Sequence, residues 1–198
     1  MIRLALALVA FAAPALAQVD GWPALYDVTG VDPGASLNIR AKPTTRSKIV
    51  GALAGGAKGV EVIRADNQGW GLVNTSESNG WVSLKYLARK AGQWDSDFPT
   101  FTSCSGTEPF WSLTHQAGEL TLARPEQPNV SALIDWQQAA ANGRHSYSFR
   151  AGDLLGLLAR KTCNDGMSDR EMGLEINLIL LEKGMQYQGC CSIAPPAE

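Results

Sequence analysis

The chain lacks the features that mark nucleic-acid-binding, membrane and zinc proteins. It has 17 lysines and arginines against 19 acidic residues, so there is no excess of basic charge to bind a nucleic acid. After the first seventeen residues no apolar run has the length of a transmembrane helix, and we expect no membrane span in the mature chain. The paired cysteine or histidine spacings of structural zinc sites are also missing. We therefore expect no metal and no cofactor.

The first seventeen residues, MIRLALALVAFAAPALA, are organised as a secretory signal peptide. Arg3 supplies a positive charge, residues 4–11 form an apolar run, and residues 15–17 make a small-x-small cleavage site. This pattern predicts a cut after Ala17 and an exported protein in the periplasm of a Gram-negative-type envelope.

Four cysteines follow the predicted cut, and an even number in an oxidising compartment favours disulfides over free thiols. Cys190 and Cys191 are neighbours on a predicted strand, so their side chains point to opposite faces and each needs its own partner. Cys104 and Cys163 are the two that remain. We favour Cys163–Cys190 with Cys104–Cys191, and the swapped pairing stays as the alternative.

Residues 25–88 consist of short apolar runs separated by glycine, asparagine and serine, with no sustained helical period. In SLNIRAKP the side chains alternate, so that Leu37 and Ile39 share one face and Arg40 lies on the other. Strands this short and closely spaced predict a small barrel or sandwich for residues 18–92.

Three motifs in residues 25–89 resemble a bacterial SH3-type domain: LNIRAKPTTRSKIVG, GW at 69–70 and GWVSLKYL at 80–87. The resemblance implies an SH3-like barrel that binds peptidoglycan or an extended peptide. Arg40 and Tyr86 are the expected ligand-binding residues, because an arginine pairs with a carboxylate and a ring packs on sugar or peptide. Trp70 and Trp81 either line the same groove or pack in the core.

Residues 95–198 are expected to form a second small antiparallel β-barrel or curled sheet, stapled by the disulfides. PFWSLTHQAGELTLARP and LEINLILLEKGMQYQGCC are each typical of a hairpin. SALIDWQQAAANG, residues 131–143, is the only segment of this domain that could hold a helical turn or two. The domain boundary is placed near residues 90–97, where glycine, proline and charge replace periodicity.

The motifs GTEPFW, CNDGMSD and GCC occur in that order in the second domain. They resemble a family of exported bacterial proteins related to small META-type barrels, and this resemblance implies a fold but no activity. A second interaction surface is expected around four residues: Glu108, Trp111, Asp165 and Arg170.

The sequence favours binding over catalysis. SCSG at 103–106 is similar to the nucleophile motif of NlpC-type wall peptidases. However, strand formers follow Cys104 where those enzymes begin a helix, and neither histidine lies in their motif. An acid pair built from Glu108, Asp165 and Asp169 is less expected than a turn with a surface ion pair.

The expected function is therefore that of a non-enzymatic binding protein of the cell envelope, with no catalytic residue. One alternative is an inhibitor or protein partner of an envelope hydrolase. The other is a cysteine peptidase acting on the cell wall, which requires a free Cys104.

Overall fold

Residues 21–93, 98–141 and 145–194 are described by a computed structural model, and strands dominate all three ranges. Leu84–Tyr86, a 3-10 turn, is the one helical element in these ranges. No helix within them has the length and apolar character needed to cross a membrane. The predicted signal peptide, residues 1–17, lies outside the described ranges. The fold class is all-β, as the sequence predicted.

The N-terminal unit contains eight short antiparallel strands. They are β1 (Ala24–Val28), β2 (Ser36–Arg40), β3 (Ile49–Ala54), β4 (Val60–Val62), β5 (Arg64–Ala65), β6 (Trp70–Asn74), β7 (Asn79–Ser83) and β8 (Leu87–Arg89). One sheet has the order β4-β1-β8 and the other has the order β3-β2-β7-β6-β5. Both sheets contribute to one core, which makes the unit a small barrel: Ala24, Tyr26, Val28, Leu37, Ile39, Val62, Val73, Val82 and Leu87.

The C-terminal unit contains nine strands in a single antiparallel sheet. They are β9 (Ser103–Thr107), β10 (Phe110–Gln116), β11 (Glu119–Arg124), β12 (Gln127–Leu133), β13 (Trp136–Ala139), β14 (Ser146–Ala151), β15 (Leu154–Cys163), β16 (Met172–Leu180) and β17 (Met185–Ser192). The order is β12-β11-β10-β9-β17-β16-β15-β14-β13, so the last strand of the chain pairs with the first strand of this unit.

The nine-stranded sheet curls until its two edges approach each other. β12 and β13 are the edge strands, yet only Ile134 and Asp135 separate them in the chain. Two residues bridge at most about 11 Å, because an extended chain advances about 3.6 Å per residue. Ile134 N donates to the Gly118 carbonyl at 2.9 Å, while Asp135 N donates to the Arg150 carbonyl at 3.0 Å. This curled sheet is the predicted architecture.

The concave face of the curled sheet carries the larger core, which includes Phe101, Leu120, Leu122, Phe149, Leu158, Leu174, Ile176 and Leu178. One position in it requires glycine. A Cβ on Gly156 would lie 2.0 Å from Cζ of Phe149, its cross-strand neighbour, so the phenylalanine ring occupies the space of the missing side chain.

The helical turn that SALIDWQQAAANG could hold is absent from residues 131–141, the part of this segment that the structure describes. β12 extends to Leu133, and β13 pairs residue by residue with β14, from Trp136↔Arg150 to Ala139↔Tyr147. The alanine-rich composition favours a helix locally, but pairing with an existing strand decides the conformation here. The expected domain boundary falls between β8 and β9, and residues 94–97 of it lie outside the described ranges.

Two disulfides tie the C-terminal strands together, in the pairing favoured from the sequence. Cys104 on β9 bonds Cys191, its direct cross-strand partner on β17. Cys163 at the end of β15 bonds Cys190 on β17, and the two Cα atoms are 5.6 Å apart although β16 lies between these strands in the sheet order. Cys191 faces the core while Cys190 faces away from it, as alternation requires.

Loss of Cys104–Cys191, in C104A/C191A, is expected to lower the free energy of unfolding more than loss of Cys163–Cys190, in C163A/C190A. The bonds have sequence separations of 87 and 27 residues. Loop-closure entropy for these lengths amounts to about 4.6 and about 3.6 kcal/mol respectively. Urea unfolding measures the difference, and equal midpoints or the reverse order would contradict it.

Candidate functional site

Strand register in the N-terminal unit places three of the four predicted ligand-binding residues on one outer face. Arg40 on β2 lies directly opposite Trp81 on β7, and Trp81 lies opposite Leu72 on β6. Directly opposed residues share a face, and Trp70 shares it because it is two residues from Leu72. The alternate positions belong to the barrel core: Ile39, Val73 and Val82.

The same row continues to Arg64 on β5, which lies opposite Leu72. The guanidinium carbon of Arg64 lies 4.9 Å from the centroid of the Trp81 ring, in a cation–π contact. Arg40 Nη1 donates a 2.8 Å hydrogen bond to the Ser47 carbonyl, which holds it against the β2–β3 connection. All three side chains are partly exposed. We call Arg40, Trp81 and Arg64 the basic–aromatic row.

Tyr86, the fourth predicted residue, has a different environment. It ends the 3-10 turn, where strand alternation no longer applies, and its carbonyl accepts a 2.9 Å hydrogen bond from Thr29 N. Its side chain packs against the barrel core, and Lys85 Nζ lies 5.7 Å from its ring centroid. Its contacts with described residues thus tie it to the core and not to the basic–aromatic row.

Arg64 was not identified from the sequence, although it completes the row. β4 and β5 belong to different sheets, and Ile63 between them is 2% exposed. The chain therefore turns from one sheet to the other at Ile63, and alternation counted from Val62 gives the wrong face for Arg64. One feature of the sequence could have indicated the outward position of Arg64: it lies shortly before the turn that leads into GW at residues 69–70.

The outer face of the β6–β7 hairpin also contacts the C-terminal unit. Asn74 and Asn79 face each other across this hairpin and bind the backbone of residues 164–171, which we call the docking loop. Asn74 Nδ2 donates to the Glu171 carbonyl at 2.7 Å, and Asn74 Oδ1 accepts from Glu171 N at 3.0 Å. Asn79 Nδ2 donates to the Asp169 carbonyl at 2.7 Å. The Asn74 amide thereby supplies the pair of hydrogen bonds that a neighbouring strand would supply.

Glu171 connects the docking loop to the basic–aromatic row. Its Oε2 lies 3.6 Å from Arg64 Nε. The two side chains are 27% and 44% exposed, and a pair this exposed contributes at most about 1 kcal/mol. Its importance is positional, because Arg64 contacts Trp81 and Glu171 at the same time.

The docking loop is shaped by its own side chains. Asn164 Nδ2 donates to the carbonyls of Ser168 at 2.9 Å and Arg170 at 2.7 Å, while its Oδ1 accepts from Gly166 N at 2.7 Å. Gly166 has a φ of +78°, in the left-handed region that favours glycine. These polar residues organise a turn that presents its backbone to Asn74.

A second polar contact between the units has Glu61 at its centre. Glu61 Oε2 accepts hydrogen bonds from Ser192 Oγ and, at 3.4 Å, from Ala194 N. Its Oε1 is buried and has no hydrogen-bond partner among the described residues. Burial raises the pKa of Glu61 above its ordinary value of 4.5, while these hydrogen bonds and the positive charge of Arg170 oppose part of the rise.

The four residues expected to form a second surface have different environments. Trp111 is 5% exposed and belongs to the C-terminal core, because alternation along β10 puts it on the same face as Leu113. Arg170 is exposed on the docking loop. Glu108 and Asp165 line one cleft of about 470 Å³, where Ser105 Oγ donates to the Asp165 carboxylate at 3.1 Å. Of the four, these two alone share the cleft.

Cys104 has no free sulfur in this structure, because it is bonded to Cys191. A disulfide offers no thiolate, the species that a cysteine nucleophile requires. His115 Nδ1 donates to the Phe101 carbonyl at 2.9 Å. Within the described ranges, no three His, Cys, Asp or Glu side chains are grouped closely enough to hold a metal ion.

Comparison with known proteins supports the family suggested by the N-terminal motifs. Residues 35–88 match the family model of the bacterial SH3 domain. The matched segment begins before β2, reaches into β8, and contains Arg40, Trp70, Trp81, Tyr86 and also Arg64. No curated protein matches the chain. The resemblance of the C-terminal unit to META-type barrels rests on its motifs alone.

Asn74→Ala is expected to expose the backbone amide of Glu171 to solvent, because Asn74 Oδ1 is its acceptor. Loss of an acceptor from a part-buried donor costs about 1–3 kcal/mol. Hydrogen exchange at the Glu171 amide measures this as faster exchange. Asn67→Ala, in an exposed turn, is the matched control and should leave that amide protected. Unchanged protection in N74A would contradict the assigned contact.

Glu61→Gln is expected to make the free energy of unfolding less dependent on pH. A raised folded-state pKa means that the folded protein holds the Glu61 proton more tightly than the unfolded chain. Its contribution is fully present below about pH 4.5 and is lost as the pH rises through the raised value. Unfolding of wild type and E61Q from below that pH to neutrality measures the effect.

At neutral pH the E61Q protein should therefore be the more stable of the two. Glu119→Gln removes an exposed carboxylate and serves as the control. Parallel stability profiles for wild type and E61Q would show that Glu61 titrates normally.

Proposed function

We propose that this protein is an exported binding protein of the cell envelope, and that its SH3-type unit recognises peptidoglycan or an extended peptide. The observation that carries the proposal is the basic–aromatic row, which lies within the segment that matches the bacterial SH3 domain. The proposal assigns no catalytic residue and no cofactor.

The chemistry of the row suits a ligand with flat and acidic groups. The Trp81 ring offers a surface for a sugar ring or a peptide plane. Arg40 and Arg64 stand on either side of it, and a guanidinium pairs strongly with a carboxylate. Peptidoglycan carries both groups, since its sugar strands bear short peptides with free carboxylates. Trp70 extends the same face.

The two disulfides support a location outside the cytoplasm, because disulfides persist in oxidising compartments. The predicted signal peptide leads to the same compartment. We propose the periplasm as the location.

The C-terminal unit has a structural part in this proposal, because Glu171 pairs with Arg64 beside Trp81 when no ligand is bound. One observation favours a second candidate function, in which this unit binds an envelope hydrolase as an inhibitor or partner. Leu133 and Trp136, where the two sheet edges approach, are 68% and 43% exposed. Leu133 and Trp136 lie three residues apart, and a protein partner that covered them would bury this apolar surface.

Co-sedimentation of the mature chain with purified peptidoglycan sacculi tests the proposal. Wild type should pellet with the sacculi, and the double variant R40Q/R64Q should bind about tenfold or more weakly, because each charge-assisted hydrogen bond contributes about 1.5–3 kcal/mol. Arg46→Gln is the matched control, since Arg46 is exposed on the neighbouring β2–β3 connection outside the row. It should pellet like wild type.

Failure of the wild type to pellet would refute wall binding and leave the hydrolase partner as the candidate. A loss of binding free energy in R46Q half as large as in R40Q/R64Q, which removes two charges instead of one, would mean that attraction is only through net charge. Titration of thiols under non-reducing conditions separately tests the peptidase alternative, which needs a free thiol at Cys104.

A further inference from the structure

The C-terminal unit places an arginine in a position that faces its hydrophobic core. Along β11 the side chains alternate, so Leu120, Leu122 and Arg124 share one face. Both leucines are 0% exposed and Arg124 is 8% exposed. Arg124 therefore lies at the end of the core, as the last residue of β11.

The described part of the protein leaves two donors of the Arg124 guanidinium without an acceptor. Its Nε and Nη1 atoms are buried, and neither has a hydrogen-bond partner among the described residues. A buried ionised group without a partner is costly, and such groups are normally paired or coordinated. An acceptor from outside the chain would satisfy these donors.

Two neighbouring cavities of about 700 and 400 Å³ share Arg124 as a lining residue, together with Phe110 and Pro125. Apolar side chains make up much of the remaining lining: Pro109, Met185 and Tyr187 in the larger cavity, Trp111 and Met167 in the smaller. Phe110 is 57% exposed and Met185 is 40% exposed, so the mouth is apolar as well. An occupant of this site needs an apolar body.

The charged groups around the cavity also limit the charge of the occupant. Glu108 lines the larger cavity with Arg124 but forms no ion pair with it in the described part of the chain. One positive and one negative side chain disfavour an anion with several charges. One carboxylate can accept two parallel hydrogen bonds from one edge of a planar guanidinium, so a group with a single carboxylate suits Arg124.

We propose that the larger of these two cavities binds a small amphipathic monocarboxylate. The carboxylate would lie on Arg124, and the apolar chain would pack against Phe110, Pro125 and Met185. The site lies on the C-terminal unit, separate from the basic–aromatic row. The test of this proposal is therefore independent of whether the protein binds sacculi.

Calorimetric titration of the full mature chain with decanoate, below its micelle concentration, tests the proposal. Decanoate should bind, and decanol, with the same apolar chain and no charge, should bind at least about tenfold more weakly. Arg124→Met should weaken decanoate binding by a similar factor and leave decanol binding unchanged. The R124M protein should be at least as thermally stable as wild type, because the substitution removes a buried unpaired charge.

The comparison of decanoate with decanol does not depend on any variant and remains decisive if R124M fails to fold. Phe110→Ser gives a further check, because Phe110 is exposed enough for the substitution to leave the core intact. The substitution should weaken the binding of both decanoate and decanol. No decanoate binding, equal binding of both probes, or undiminished decanoate binding by folded R124M would each overturn the proposal.

The carboxylate has two chemical sources, a free acid and the C-terminus of a peptide. N-acetyl-Leu-Phe with a free carboxylate, compared with its amide, distinguishes them in the same titration. Stronger binding of the peptide acid than of decanoate would support the site and identify a chain terminus as the source. Binding of decanoate alone would identify a free acid.

Discussion

The pairing of β17 with β9 is the constraint on which the rest of the structure depends. It joins the end of the chain to the beginning of the C-terminal unit, and Cys191 bonds Cys104 within the same pair of strands. With Cys191 fixed toward the core, Cys190 must face the other way. There it meets Cys163, and the bond anchors the start of the docking loop.

From this anchor a chain of contacts leads to the outer face of the N-terminal unit. Asn164 shapes the docking loop, and the backbone of Glu171 is held by the side chain of Asn74. The carboxylate of Glu171 in turn reaches Arg64, which lies over Trp81. The polar stretch KTCNDGMSDR, which has the composition of a catalytic site, therefore serves as a stapled loop that joins two units.

Much of the fold followed from alternation along single strands. It placed Leu37 inside and Arg40 outside, and it separated Cys190 from Cys191, because a strand shows its two faces in strict order. Alternation fails where the chain leaves one sheet for another, as at Ile63, or enters a 3-10 turn, as before Tyr86.

Contacts between loops that are far apart in the sequence could not be predicted from it, for a different reason. The partners of Asn74 are 97 residues away, and a polar residue in a hairpin turn has no pattern that indicates what it will meet. Arg124 is an intermediate case. Its spacing from Leu120 and Leu122 already indicates an inward position, but only the assembled sheet reveals that its Nε and Nη1 have no acceptor among the described residues.

If the basic–aromatic row binds a carboxylate as proposed, the position of Arg64 couples ligand binding thermodynamically to the association of the two units. A ligand carboxylate that draws the guanidinium toward itself competes with Glu171, and the coupling is reciprocal: an intact pair lowers the affinity for the ligand by the same factor. The pair is partly exposed, so ionic strength acts on both equilibria, over a screening length of about 8 Å at physiological salt. One side chain therefore makes the outer face of the N-terminal unit responsive to the state of the other unit.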